Sequence, residues 1–486
     1  MQRSLTYLAQ RLGLAFASLA LAGSSIAAPT AEPSTAADKY AIKAGTVITM
    51  AGDPIPNGVI VITDGRVSAV GSADDVQIPW DAEVLDVPHL TAFPGFVEAC
   101  TSQGMDRPNE SIDITPFLDV RDSVDPVKFF FEDGRRWGIT TLNVQQGNET
   151  VISGMGMIVR PRGMTVEAMM VRPQSGVKIS MAPKRNKSRA TQAMVLRDAF
   201  SELRRYLEEV VQETKDGNDR ARREALAQGR DLTGDNGKGR AMEGSAWKVE
   251  GLEAVPRGEI DEKQAPLLAI VEGRLPVTLN CETPMDVIRG IEIARENGFL
   301  GNMTILMTAG CHKAADAIAK AGVPVILTGN LMHTETDPVT EEETETFVPK
   351  LLKEKGIAFA LTGDSGATQE LWVHAALCVG QGLDRNDALA AVTTVPAKLL
   401  GLEKHVGSIA TGCDGNVLLF TGDPLSATSQ IDYVVLEGEM LYDRSKDTRL
   451  RHLIDGQAQP GTAPAEEEAP TDIHEEERRQ GAGEGR

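Results

Sequence analysis

The sequence predicts an α/β fold, a (β/α)8 barrel of the TIM type joined to a composite β-sandwich built from N- and C-terminal segments. Three observations carry this. Eight short β-branched runs alternate with helix-like stretches through the middle of the chain, the texture of βα units around a parallel sheet. Near the N-terminus, alternating apolar runs are split by Asp64-Gly65, a pair suited to a tight hairpin. The same texture returns late in the chain, where Glu437-Gly438-Glu439 interrupts two further runs. At 486 residues, 41% hydrophobic and 24% charged, the chain is long enough to bury a large core.

Residues 1–27 read as a signal peptide. Arg3 and Arg11 precede the apolar stretch 12–22, and Ser25-Ile26-Ala27 has the small-x-small form of a cleavage site. Residues 28–39 form a Pro/Ala/Ser linker. The expected location is therefore outside the cytoplasm, periplasmic or secreted. No later stretch is apolar enough to span a membrane.

Residues 40–90 supply the N-terminal part of the sandwich, and 91–399 the barrel. The eight expected barrel strands are 91–97, 140–144, 166–171, 177–180, 277–281, 303–307, 323–327 and 357–361. A helix over 286–297 is expected to bury Val287, Ile288, Ile291 and Ala294, with the preceding Met285 on the same face. A polar insertion, 183–260, opens with a stripe of Leu196, Phe200, Leu203, Leu207 and Val210 at helical spacing, which reads as core packing. Its later part, 215–244, reads as mobile surface. Residues 400–445 complete the sandwich, and 446–486 read as an acidic, disordered tail. Residues 331–347 hold six acids and no Lys or Arg, and read as a solvated loop after the seventh strand. An acidic lid attracting cationic ligands is the sharper alternative.

Charge and motif content exclude several classes. With 70 acidic against 49 basic residues, a net charge of −21 argues against nucleic-acid binding, which needs a basic face. Five widely spaced cysteines with no CxxC pair do not make a disulfide framework and read as small buried residues. There is no P-loop, no GxGxxG after a strand, no GxSxG elbow and no HExxH. Only seven histidines are available to any metal centre.

Several stretches, taken in order, resemble the amidohydrolase superfamily, especially its imidazolonepropionase-like branch. They are Asp64-Gly65-Arg66-Val67, Phe93-Pro94-Gly95-Phe96-Val97-Glu98-Ala99, Leu275-Pro276-Val277, Leu361-Thr362-Gly363-Asp364-Ser365, the Ala388 to Leu402 stretch and Gly407-Ser408-Ile409-Ala410-Thr411-Gly412. The resemblance implies a metal-centred barrel that hydrolyses C–N bonds of amides, cyclic amides or small peptides. Zinc or another divalent ion would activate the water, and Asp364 would serve as ligand and proton carrier.

The ligand positions the resemblance implies are largely substituted. The first-strand pair falls on Cys100 and Ser102, the fifth-strand position on Asn280 and the sixth near Met307 to Ala309, leaving Asp364 as the match. Cys100, Asn280, Glu282, Cys311 and His312, with Asp364, are near expected C-terminal strand ends and are the candidate substitute donors, and Lys178 on the fourth strand is a further candidate. Some relatives bridge metals with a carbamylated fourth-strand lysine. For Lys178 a structural ion pair is the plainer expectation, and the face it occupies stays open. Glu98 reads as a general base or, more plainly, a buried ion-pair partner. His333 and His374 are within reach of the strand ends. The alternative function is a catalytically inactive exported barrel that binds a small-molecule ligand or a partner. Homo-oligomerisation is left open.

Overall fold

Along the chain, the first three strands, β1 (Lys39–Val47), β2 (Ile55–Thr63) and β3 (Arg66–Ser72), form an antiparallel meander, and β4 (Glu83–Pro94) returns to lie parallel to β1. The β2–β3 turn is the expected one: Asp64 and Gly65 have φ of 50° and 76°, the left-handed pair whose twist matches the flanking strands. The computed structural model describes residues 39–184, 186–228, 249–363 and 370–455. The expected signal peptide, residues 28–38 of the linker, and residues 456–486 of the tail lie outside them.

The barrel strands follow. They are β5 (Phe96–Thr101), β6 (Ile139–Val144), β7 (Ile152–Val159), β8 (Met170–Ser180), β9 (Val277–Cys281), β10 (Met303–Thr308) and β11 (Val325–Thr328). A two-stranded hairpin, β12 (Met332–Thr336) and β13 (Glu343–Phe347), interrupts them before β14 (Phe359–Leu361). The chain then re-enters the first sheet with β15 (Val417–Phe420), β16 (Ile431–Leu436) and β17 (Glu439–Asp443). That sheet has the order β17-β16-β15-β4-β1-β2-β3, so strands from both ends share one ladder, and Phe93 pairs with Leu418 across the join.

The eight-stranded sheet runs β14-β11-β10-β9-β8-β7-β6-β5. Its outer edges meet through side chains. Glu98 on β5 accepts hydrogen bonds from the Thr362 hydroxyl and from the Gly363 N–H just beyond β14, so the sheet is a nearly closed barrel. Small and aliphatic side chains from four strands, Ala99, Cys100, Leu306, Ile326 and Ala360, form one buried cluster. Phe93, Phe96 and Phe420 form an aromatic knot between the first sheet and the start of β5, with ring centres 5.7–6.4 Å apart.

Two expected strands are corrected. Residues 91–94 belong to β4 of the first sheet, and the barrel's first strand starts at Phe96. Residues 166–169 are a helical turn, Val166–Met169, because the Thr165 side chain caps it by accepting from Ala168 N–H. The third barrel strand is instead β7, and it is antiparallel to both β6 and β8. Seven residues separate Val144 from Ile152, too few for the helical crossover that a parallel neighbour requires.

The helices cover the barrel. Helix Arg189–Ala227 buries Leu196, Phe200, Leu203 and Leu207 as expected, and Phe200 stacks on Phe299 at 5.7 Å. It runs on through 215–227, where mobile surface was expected; the next described residue after Gln228 is Val249. Helix Pro284–Glu296 starts with a reciprocal capping box between Thr283 and Asp286. It buries Val287, Gly290, Ile291 and Ala294, while Met285 and Ile288 are 52% and 39% exposed, so the buried stripe is narrower than the apolar pattern suggested. The acidic stretch 331–347, expected as a solvated loop, is exposed over 334–345 and paired as a hairpin. The expected tail also starts as structure, in helix Thr448–Asp455. No described helix is long and apolar enough to cross a membrane.

Candidate functional site

In a barrel of this kind the chemistry sits at the C-terminal ends of the parallel strands. Residues two apart on a strand share a face, so Glu98 and Cys100 of β5 enter the interior together. Glu98 is 4% exposed. Its carboxylate accepts from the Thr362 hydroxyl, from Cys100 N–H at 3.3 Å and from Gly363 N–H at 3.1 Å. Engaged in this way, it fastens β5 to β14.

The Cys100 thiol donates to Gln145 Oε1 at 3.5 Å, and Lys178 of β8 lies beside it. Burial pushes the thiol pKa up and the Glu98 charge adds to that, while the Lys178 ammonium pulls it back; the net shift is upward. Cys100 is therefore a neutral thiol at pH 7. On β8, Val177 and Ile179 point into the outer core, and Lys178 between them points into the barrel. It is 3% exposed, and its Nζ donates to Asn148 Oδ1 at 3.2 Å. The expected ion pair is absent among the described residues.

The other candidates stand apart from this group. Asn280 donates through Nδ2 to Ser180 Oγ at 3.2 Å, tying β9 to β8. Glu282 is exposed, at the turn into the capped helix. Cys311 donates to the Cys281 carbonyl at 3.4 Å in the helix layer, where burial pushes its thiol to about 12. All five thiols are free and buried. His312 contacts the Ala309 carbonyl through Nδ1 and faces His333 of the hairpin. His374 lies half-buried on helix Glu370–Gly380. Asp364 lies outside the described residues.

Among the described residues, no three His, Cys, Asp or Glu side chains converge to hold a metal ion. A zinc site needs about three or four anionic or imidazole donors. Among the described residues, the positions facing the barrel interior offer a thiol, amides, an ammonium and the Glu98 carboxylate already held by Thr362 and Gly363, so the described donor set does not fit the ion that the resemblance implies. Sequence reasoning missed Gln145, Asn148 and Thr362. A signal was available for the first two: the polar run Gln145-Gln146-Gly147-Asn148 directly follows the second strand, on the face where the chemistry belongs.

Residues 270–441 match the model of the amidohydrolase family. Over that stretch, about a third of its length, the chain is similar to that family. The amidohydrolase tasK of Hapsidospora irregularis is 30% identical over 96 residues, 19% of this chain and 10% of that protein. A 5-methylthioadenosine/S-adenosylhomocysteine deaminase of Moorella thermoacetica is 38% identical over 68 residues, 14% of this chain and 16% of that protein. The matched stretches thus span about a tenth and a sixth of these relatives. The crystal structure of an amidohydrolase from Thermotoga maritima MSB8 superposes with a TM-score of 0.65 at 22% identity, covering 83% of this chain and all of that one, a likeness of fold. The second half of the chain carries the sequence match, and Cys100 and Lys178 lie before it.

Proposed function

We propose that this chain binds a small amide- or carboxylate-bearing molecule at the barrel mouth through Lys178 and its neighbours, without metal-activated water. The observation that carries the reading is the buried Lys178 ammonium directed into the barrel, bonded to Asn148 and adjacent to Cys100. An ammonium has three protons and no acceptor capacity. Among the described residues the partners of Lys178 are neutral; a cation so buried is costly, and a ligand carboxylate or a polarised amide carbonyl offsets that cost. Gln145 and Asn148 orient the ligand by hydrogen bonding, and Glu98 keeps the barrel seam closed beneath it.

The family match over residues 270–441 favours a second reading, hydrolysis of C–N bonds with Asp364 as proton carrier. Turnover and binding separate the two. N-acyl amino acids, cyclic amides and dipeptides are screened by thermal shift and for hydrolysis, with and without added zinc or manganese. The expected result is a rise in Tm with carboxylate-bearing amides that Lys178→Met abolishes, and no turnover with either metal. Metal-dependent hydrolysis lost in Asp364→Ala would overturn the first reading and establish the second.

A further inference from the structure

At the end of β10 the chain turns into a short 3-10 helix, Ala309–Ala314, which carries His312. Its Nδ1 lies 3.1 Å from the Ala309 carbonyl. A carbonyl only accepts, so Nδ1 bears the proton and Nε2 keeps its lone pair. Metal-binding histidines are oriented in this way, with one nitrogen donating to a carbonyl and the other left for the ion. His333, on β12 of the acidic hairpin, meets it with ring centres 4.7 Å apart and planes inclined by 42°. With Zn–N bonds of about 2.0–2.1 Å, two imidazoles on one tetrahedral ion have ring centres about 5 Å apart. The observed 4.7 Å is close to that spacing.

The surroundings suit a cation. Glu335 shares the His333 face of β12, two residues on. Its carboxylate is held by Lys313 at 2.6 Å and lies within electrostatic reach of both imidazoles. Six acids and no Lys or Arg lie on 331–347, and Lys313 pairs with one of them, Glu335.

We propose that His312 and His333 bind a borderline divalent ion of the zinc, nickel or copper class, pinning the β12–β13 hairpin to the end of β10. Imidazole donors select such ions over magnesium or calcium. Solvent completes the coordination, with Glu335 the nearest carboxylate to join if it leaves Lys313. The pair lies on the Ala309–Ala314 turn and β12, whereas Lys178 and Cys100 lie on β8 and β5.

The test is calorimetric titration of the tag-free full chain with Zn2+, followed by Cu2+ electron paramagnetic resonance. The expected result is one equivalent bound, with nitrogen couplings from two imidazoles. Affinity should fall about tenfold or more in both His333→Ala and His333→Gln. Cys100→Ser and Lys178→Met should bind Zn2+ as the parent does, so this proposal and the ligand-binding proposal fail independently. Absence of binding by the parent, or undiminished affinity in folded His333 variants, would overturn it. His312→Gln provides a second folded variant, because it keeps a polar side chain on the half-buried turn.

Discussion

From Val277 to Leu361 four barrel strands follow one another in parallel, with helices Pro284–Glu296, Ala315–Ala321 and Val348–Glu354 between them. From Phe96 to Ser180 the pattern breaks: β7 runs antiparallel to both neighbours on short connections. The family match starts at residue 270 and covers the regular half. The polar side chains Cys100, Gln145, Asn148 and Lys178 all come from the irregular half. One half keeps the scaffold while the other carries a different set of interior groups. Scaffold positions are constrained by packing, whereas a strand-end side chain can change without disturbing the layer behind it.

Four measurements would break or sharpen that contrast. The largest effect is expected in the regular half. Ile305 is fully buried on β10, and Ile305→Ala should cost about 2–5 kcal/mol through lost burial and a cavity, read as a lower urea midpoint. An effect near zero would show that this half is not the rigid one. Next is the seam between the halves. Glu98→Gln keeps the shape but turns an amide N–H2 toward donors, and should cost about 1–3 kcal/mol. Loss of stability without change in ligand affinity would confirm that Glu98 is a fastener.

A smaller effect is expected at the capped helix. Thr283→Ala removes one arm of the box with Asp286, for about 1 kcal/mol in the same denaturation assay. The smallest concerns how the irregular half is tied to the C-terminal segment. Burial of Asp447 opposes its ionisation, but Leu450 N–H, Arg136 and Tyr442 outweigh this and hold the carboxyl below its ordinary range. A depressed folded pKa gives stability that is complete above the unfolded value of about 3.9 and is lost as pH falls toward the folded one. Asp447→Asn should therefore be less stable than the parent at neutral pH. The gap should narrow in acid, as followed by Tm between neutral pH and pH 3.

Much of the scaffold was legible because local chemistry writes it. Asp64-Gly65 announced a turn that it forms, and Glu437-Gly438 does the same with φ of 50° and 82°. The helical stripe from Leu196 to Leu207 became a buried face. The site was less legible. Lys178 was visible as a residue of a strand, but the face it occupies depends on strand register, and slipping one residue would have turned it outward. The turn at Val166–Met169 hid because valines that favour strands also fit a single capped turn.

By itself the sequence determined which segments are extended, where they turn and which surfaces are apolar, since these follow from side-chain period and backbone preference within a few residues. Only the tertiary structure decided that β7 runs backwards, that Glu98 closes the barrel on Thr362, and that Lys178 meets Cys100 while His312 meets His333. Except for the direction of β7, which connection length constrains, each is a contact between residues distant along the chain. Such contacts are set by pairing and closure of the whole sheet, about which local pattern carries no information.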